Sequence, residues 1–444
     1  MNRTADEHFG QQKWLTEQPK RTPIVREVDV LVVGGGPAGT TAAIAAGRMG
    51  AETLVVEFFG CLGGNATSGL VNHMAGITSS GPQRLQFVKG IGGDIINALA
   101  ALEPEAGTTY KAPSFNPETM KRALDHLANA ANVERMYYTS FTEPIMERDR
   151  VIGAVIENKG GRQAILAKRV IDASGDGDVV ARAGAPFTLG SGLGVTAADF
   201  QASDLVPLIA NVTPGTNTAL VNQAIAATSD AELASYMITR RTVIIMHDKI
   251  PGIYRLNWNN IAVDGDKTDP AWLTKAAIYG RESAAGILRF LNNKVPGFEN
   301  AKIVATASKI GLRESRRVHG DYMFTKDDFL ASRKFPDGIG ANAWPLENVT
   351  TTGRTYTYLP NDDYYTIPYR CLLPQKVENV IMAGRFISGD HEALASFRVM
   401  GPAMVMGHAA GVAAVLSIAE RVSYRQLNVG LVQKELLRQG AFLE

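Results

Sequence analysis

The chain is poor in cysteine: Cys61 and Cys371 are the two among its 444 residues, and they form no CxxC pair. Two thiols are too few for a disulfide framework, so we predict a reducing, cytoplasmic setting. An excess of charge is also missing, because 45 basic residues face 44 acidic ones. That balance gives no electrostatic reason to expect a nucleic acid or an anionic membrane surface as a partner.

Long hydrophobic runs are scarce as well. The polar stretch 1–25 contains no apolar core of a signal peptide, and we predict none. The most apolar segment, 401–420, contains Pro402, His408 and many small residues. We therefore predict a buried helix there rather than a membrane span. We predict no metal site, and we find no internal repeat or low-complexity tract.

The segment 28–57, VDVLVVGGGPAGTTAAIAAGRMGAETLVVE, predicts a strand, an alanine-rich helix and a second strand. Between the first strand and the helix lies a GxGxxG turn. Gly34 would allow the tight turn, Gly36 would let the backbone approach a pyrophosphate, and Gly39 would let the helix pack on the strand. Pro37 and Ala38 open the helix, whose N-terminus favours the phosphate charge.

An acid completes this nucleotide fingerprint. Glu57 closes the second strand 23 residues after Gly34 (57 − 34), which suits a carboxylate that accepts hydrogen bonds from ribose hydroxyls. The fingerprint alone leaves NAD and FAD open. A second loop of small residues follows the acid, and a ligand longer than NAD would need such a surface for its ribityl and isoalloxazine parts. The residues of that loop are Gly63, Gly64, Asn65, Ala66 and Thr67.

These motifs stand with others in an order that resembles the FAD-dependent oxidoreductase family, flavoproteins of the glutathione-reductase type. The segments that carry the resemblance are VDVLVVGGGPAG (28–39), LGGNATSGLV (62–71), VIDASGDGDV (170–179), VPGFENAKIV (295–304), GLRESRRVHGDY (311–322), YYTIPYRCLLP (364–374), ENVIMAGRFIS (378–388), HEALASFRVM (391–400) and GHAAGVAAVL (407–416). They span nearly the whole chain. The resemblance implies an enzyme with FAD as cofactor and leaves the substrate open.

We predict an α/β fold: a Rossmann-type FAD-binding domain, with a central parallel sheet and a β-meander, and an inserted α+β cap or substrate domain. The middle of the chain differs in texture, with three of the four tryptophans. The predicted division is an N-terminal arm at 1–23, an FAD-binding domain at 24–189 and 367–444, and a cap at 190–366.

The resemblance also implies further cofactor contacts. These are Phe141, Ala173, Gly175, Asp176, Gly384, Arg385, Ser388, Arg398, Met400 and Ala403. Arg385 would neutralise phosphate charge, and the helix that begins near Met400 would point its N-terminus at the flavin pyrimidine ring. Phe141 could equally be a plain core residue, and Asp176 could instead cap the next helix.

For catalysis the candidates are His391 and Arg316, followed by His73 and Arg313. A histidine could move the proton that accompanies hydride transfer, and an arginine pair could clamp a substrate carboxylate or carbonyl. The alternatives are a structural histidine in each case and an interdomain salt-bridge cluster for the arginines.

One departure from the family concerns the substrate. An Asp and a His often follow the proline in the segment that corresponds to ANAWPLENVT, whereas Leu346 and Glu347 follow Pro345 here. If those two family residues contact substrate, this protein handles a different substrate or lacks that step.

The predicted function is hydride transfer between a small organic substrate and flavin N5. A second dinucleotide fingerprint is missing, which favours a dehydrogenase or oxidase whose electrons leave to oxygen or a carrier. One alternative is a flavin monooxygenase or reductase that uses external NAD(P)H. Another is a non-redox protein, such as an isomerase or a structural flavoprotein. The oligomeric state stays open.

Overall fold

The computed structural model describes residues 15, 19 and 21–443, apart from 242–243, 248–249 and 259. Most of the predicted arm, 1–23, lies outside the described residues. The strands are β1 Ile24–Val33, β2 Thr53–Val56, β3 Glu134–Met136, β4 Ser140–Glu147, β5 Arg150–Asn158, β6 Gly161–Asp172, β7 Phe187–Leu189, β8 Ser203–Asp204, β9 Pro207–Ala210, β10 Ile244–His247, β11 Tyr254–Asn257, β12 Asn260–Ile261, β13 Lys302–Thr306, β14 Arg316–Val318, β15 Gly338–Asn342, β16 Leu346–Val349, β17 Arg354–Thr357, β18 Tyr365–Pro368 and β19 Val380–Met382. The helices are α1 Pro37–Arg48, α2 Ile91–Leu102, α3 Pro117–Ala130, α4 Asp178–Arg182, α5 Thr218–Ala226, α6 Asp230–Ser235, α7 Pro270–Lys294, α8 Lys326–Leu330, α9 His391–Phe397, α10 Met400–Ala419 and α11 Val429–Arg438.

A parallel sheet forms the centre of the nucleotide-binding half. Its strands run in the order β3-β2-β1-β6, and β19 adds a further parallel strand beside β6. Val30, Leu31 and Val32 of β1 are fully buried, as a strand covered on both faces requires. The short β1–α1–β2 crossover is the predicted nucleotide-binding unit. The predicted Rossmann-type α/β fold is confirmed.

The predicted β-meander is also present. β4, β5 and β6 pair antiparallel in chain order, and β6 spans 12 residues. Its first half pairs with β5, and its second half lies between β1 and β19. One long strand therefore joins the meander to the parallel sheet.

Helix α10 packs tightly against α1. A Cβ added at Gly407 would lie 2.0 Å from the Ala38 carbonyl oxygen, and one at Gly411 would lie 2.2 Å from that of Ala42. By length and composition α10 could cross a membrane, but most of it is buried inside the protein. Its small residues mainly serve the contact with α1.

The middle of the chain contains a hydrophobic core of its own. Trp258, Phe290 and Phe298 are buried there under the sheet β10-β11-β9-β13. Helix α7 covers this core, and Asp269 is its N-cap. Later residues of the predicted cap, among them Phe324 and Tyr365, pack in the main core. The division at 190 and 366 stays a prediction.

Candidate active site

A continuous cavity of about 870 Å³ opens at the carboxyl ends of the parallel strands. Val33, Val56, Ala173 and Ala383, which end or directly follow β1, β2, β6 and β19, all line it. This is the edge at which open α/β sheets bind ligands. The volume lies within the range of about 300–1,000 Å³ typical of ligand sites. The cavity continues to strands β8, β10 and β11 in the middle of the chain.

The three fingerprint glycines face different surroundings. A Cβ at Gly34, where φ is +97°, would lie 2.5 Å from the Ala173 carbonyl oxygen, and one at Gly39 would lie 1.8 Å from that of Gly34. A Cβ at Gly36 would meet no atom of the described residues within 4 Å and would occupy the cavity. Two glycines are therefore required by the fold, and the third leaves room for a ligand against bare backbone.

Glu57 fixes the glycine turn and also lines the cavity. Its Oε2 accepts a hydrogen bond of 2.6 Å from the Gly35 N–H, and its Oε1 accepts one of 2.8 Å from the Phe59 N–H. Each carboxylate oxygen keeps a further lone pair. Glu57 is thus placed to accept from ribose hydroxyls while it holds the turn. Phe58, which directly follows Glu57, is 63% exposed.

Two cations, Arg385 and Lys309, line the cavity together with the glycine turn. Arg385 pairs with Asp176 at 2.5 Å, and its Nε has no partner among the described residues. Burial would raise the pKa of Asp176, but the Arg385 guanidinium holds it below its ordinary value. Burial and Arg385 together lower the pKa of Lys309, which also lines the cavity. An anion at this point would stabilise both cations, so the donor set fits a pyrophosphate.

Some residues of the second glycine loop line the cavity, and others hold the loop in its shape. Gly64 and Asn65 line the cavity, and the buried Asn65 Oδ1 has no hydrogen-bond partner in the described part of the chain. Thr67 donates to the Leu62 carbonyl at 2.7 Å and closes the loop from behind. The N-terminal turn of α10 faces the same region through Met400 and Ala403. A ligand here would meet an open amide and the positive end of a long helix.

One part of the cavity, which we call the chamber, is lined by buried charged side chains: Asp204, Arg313, Glu347, Arg354 and Arg398. Arg313 pairs with Asp204 at 2.7 Å and donates to the Asn257 side-chain oxygen at 3.0 Å. Both charged side chains are less than 10% exposed. Arg313, which follows β13, is therefore positioned by its ion pair with β8 and its hydrogen bond to β11.

A second ion cluster centres on Glu347 of β16. Its carboxylate lies 3.1 Å from Arg354 of β17 and 3.1 Å from Arg398, which precedes α10. The Tyr356 hydroxyl and the Trp344 indole N–H donate to it, each at 3.3 Å. Burial would raise the pKa of Glu347, but the two guanidinium groups hold it below its ordinary value. Burial lowers the pKa of Arg398 to about 10.

His73 lies in the cavity wall after the second glycine loop. Its Nδ1 is 3.1 Å from the Ser114 hydroxyl, and both residues line the cavity. The ring remains open to solvent through the cavity, while the surrounding protein atoms lower its pKa below 6.5, with a smaller contribution from Arg84. His73 is therefore neutral at pH 7 and can accept a proton there.

The cavity brings together most of the residues predicted from the sequence. Those that line it are Gly34, Gly36, Pro37, Ala38, Glu57, Gly64, Asn65, His73, Phe141, Ala173, Gly175, Arg313, Gly384, Arg385, Arg398, Met400 and Ala403. Eight other predicted residues are described but lie outside the lining. These are Gly39, Gly63, Ala66, Thr67, Asp176, Arg316, Ser388 and His391. Asp204, Lys309, Glu347 and Arg354 line it although the sequence analysis assigned them no role.

His391 and Arg316, the two leading catalytic candidates, have other partners. The His391 Nδ1 lies 2.9 Å from the buried Glu314 carboxylate. Burial would lower the pKa of His391, but Glu314 raises it above its ordinary value. Arg316 pairs with Asp178 at 2.8 Å. These contacts fit the alternatives given above, a structural histidine for His391 and a salt-bridge cluster for Arg316.

Fold and cavity together define an α/β protein that binds a dinucleotide across the ends of its parallel strands. The chain belongs to the FAD dependent oxidoreductase family, whose sequence model matches residues 29–436. FAD is therefore its cofactor, and the open turn at Gly36, the Glu57 carboxylate and the cations Lys309 and Arg385 fit that group. The glutathione-reductase type stays a prediction.

Several solved structures resemble the chain in fold. A geranylgeranyl bacteriochlorophyll reductase-like protein from Thermoplasma acidophilum is 16% identical, with a TM-score of 0.44 over 94% of this chain and 84% of that one. The p-nitrophenol 4-monooxygenase PnpA from Pseudomonas putida DLL-E4 is 12% identical, with a TM-score of 0.41 over 94% and 85%. The flavin-dependent brominase Bmp2 is 13% identical, with a TM-score of 0.45 over 93% and 84%. Similarity at this level carries no argument about the substrate.

Proposed function

We propose that this protein oxidises a small organic substrate by transferring a hydride from substrate carbon to flavin N5. The supporting observation is that one cavity joins the dinucleotide-type surface to a chamber with titratable side chains. FAD, when bound, supplies the hydride acceptor. The chain's own residues then have to hold the substrate, exclude water and remove a proton.

His73 is the residue we assign to the proton. A substrate hydroxyl or amine that loses hydride from its carbon must also lose a proton from its heteroatom. A neutral imidazole in the cavity wall can accept that proton, and Ser114 at 3.1 Å from Nδ1 orients the ring. The same histidine would donate a proton if the reaction ran in the opposite direction.

The cations Lys309 and Arg385 are assigned to the cofactor pyrophosphate. Neither stands in the chamber with Glu347, and Arg385 is already oriented by Asp176. Glu57 is assigned to the adenosine ribose and Gly36 to the close backbone contact. The electron acceptor after the flavin would be oxygen or a carrier.

The direction of electron flow is tested anaerobically. NADH and then NADPH are added to the purified holoenzyme, the flavin absorption is followed, and small alcohols, amines and hydroxy acids are then screened. We expect no rapid bleaching by either nicotinamide and bleaching by a substrate from the screen. Rapid bleaching by NADH or NADPH would overturn the proposed direction and favour a monooxygenase or reductase. A flavin that dithionite reduces but no organic compound reduces would favour a non-redox role.

A further inference from the structure

The chamber beyond the flavin end contains more positive than negative charge. Four buried guanidinium groups surround two buried carboxylates, which leaves a net charge of +2 in this cluster. The arginines are Arg240, Arg313, Arg354 and Arg398, and the acids are Asp204 and Glu347. Buried charges are normally paired, because an unpaired one loses its hydration without compensation.

The excess charge is not spread evenly over the four arginines. Both terminal nitrogens of Arg313 are engaged: they donate to the Ala202 carbonyl, Asp204 and Asn257. Arg354 and Arg398, whose side chains are each less than 10% exposed, share the single carboxylate of Glu347. Both line the cavity. The excess positive charge is therefore greatest beside Glu347, and a bound anion would be stabilised there.

Charge from neighbouring elements does not remove the excess. Arg240 is buried outside the cavity lining, and its Nε and Nη1 lack partners in the described part of the chain. It is repelled by Arg354 and Arg313, and burial together with that repulsion lowers its pKa to about 9. The next buried acid, Glu314, is itself paired with Arg317 and His391.

We infer that the substrate carries a carboxylate, which binds beside Glu347 against Arg354 and Arg398. This deepens the proposed function and rests on it for the redox step. A carboxylate matches the planar fork of a guanidinium, and it would supply a second negative charge to two arginines that share one carboxylate. Trp344 and Tyr356 also line this part of the cavity, so an organic acid fits better than an inorganic anion.

Binding to the oxidised holoenzyme tests the inference without turnover. Acetate, succinate, benzoate and phenylacetate are titrated by calorimetry, each beside its neutral amide, and the flavin absorption is recorded in parallel. At least one acid should bind about tenfold or more tightly than its own amide, the scale of a charge-assisted hydrogen bond. Amides that bind as tightly as the acids, or a panel in which nothing binds, would overturn the inference.

Two substitutions should move this affinity in opposite directions. Arg398→Gln removes a cation and should weaken acid binding about 10- to 100-fold. Glu347→Gln is nearly isosteric, removes the competing carboxylate and should strengthen it. Arg370→Gln is the control, since that arginine is 46% exposed and pairs with Asp337 outside the cavity. Equal affinities in Arg398→Gln and the control, or weaker binding in Glu347→Gln, would contradict the inference.

The two proposals fail separately. A neutral compound that reduces the flavin, with no acid bound, leaves the proposed function standing and rejects the carboxylate. Acids that bind and respond to Arg398→Gln in a protein that no compound reduces keep the anion site and reject the hydride transfer.

Discussion

The two ends of the cavity are built by different means. The nucleotide end has its glycine turn and its acid in one stretch of the chain, from Gly34 to Glu57, at the ends of adjacent parallel strands, and the cations Lys309 and Arg385 join it from elsewhere in the chain. The chamber is formed by side chains far apart in the chain: Asp204 and Arg313 are 109 residues apart, and Glu347 and Arg398 are 51 apart. The first end depends on backbone conformation and the second on charge. The cofactor is therefore a property of the fold, and the substrate a property of particular side chains.

The two ends also differ in what stabilises them before a ligand arrives. At the nucleotide end the Glu57 carboxylate is satisfied by two backbone N–H groups. In the chamber two buried guanidinium groups, those of Arg354 and Arg398, share one carboxylate, that of Glu347. Burying these positive charges costs free energy, and a bound anion would offset part of that cost. A ligand should therefore stabilise the chamber more than its small contact area suggests.

The largest effect is expected where backbone conformation is decisive. Gly34→Val should abolish FAD binding, because the turn needs φ of +97° and a Cβ would lie 2.5 Å from the Ala173 carbonyl oxygen. Flavin absorbance per protein in the purified sample measures this.

Gly36→Val separates the ligand from the fold at the same turn. Its side chain has space within the protein, so the circular dichroism spectrum should stay unchanged while the flavin is lost. Gly93→Ala in α2 is the control, since its Cβ also meets open space, away from this cavity. A yellow Gly36→Val protein would mean that the turn does not approach the pyrophosphate.

The next largest effect is expected on proton transfer in the cavity. His73→Gln should lower turnover of a substrate found in the screen about 100-fold or more, the scale of general base catalysis. The wild-type rate should fall as pH drops below 6.5, because protonation removes the base. His73→Gln should lose that acidic limb. Flavin reduction rates between pH 5 and 8 measure both.

His126→Gln is the matched control, since that histidine is exposed on α3 outside the cavity lining. Its rate and pH profile should equal those of the wild type. An acidic limb that persists in His73→Gln would assign the titrating group to another residue.

A substitution at Asp204 tests how much a buried ion pair, rather than backbone conformation, contributes to stability. Asp204→Asn leaves the buried Arg313 without its counter-ion and should lower the free energy of unfolding by about 3–5 kcal/mol. Urea denaturation of the apoprotein measures it. Glu143→Gln breaks an ion pair with Arg162 whose side chains are 62% and 40% exposed, and should cost no more than about 1 kcal/mol. Similar losses in both variants would mean that the chamber pair is not specially buried.

The same contrast explains what the sequence could predict. The nucleotide end was predictable because the glycines of the turn and the acid at the end of the second strand form one contiguous pattern. Glu347 and Arg354 belong to no local motif, and only the fold brings them to Arg398. The departure from the family after Pro345 was the one signal that pointed to this wall. The partner of His391 could not be predicted, because a histidine at a helix start shows nothing of the residue that it contacts, which is Glu314.

The smallest effect should lie outside both ends. His391→Asn removes the contact with Glu314, which raises the histidine pKa against the effect of burial. A raised folded-state pKa means that the stabilisation is fully present below the unfolded value, about 6.5. It is then lost as pH rises through the folded value. The variant should therefore be less stable by about 1 kcal/mol at pH 5.5, the scale of one hydrogen bond, and by less at pH 8.5. Flavin content and turnover should match the wild type, and a large loss of turnover would return His391 to the catalytic site.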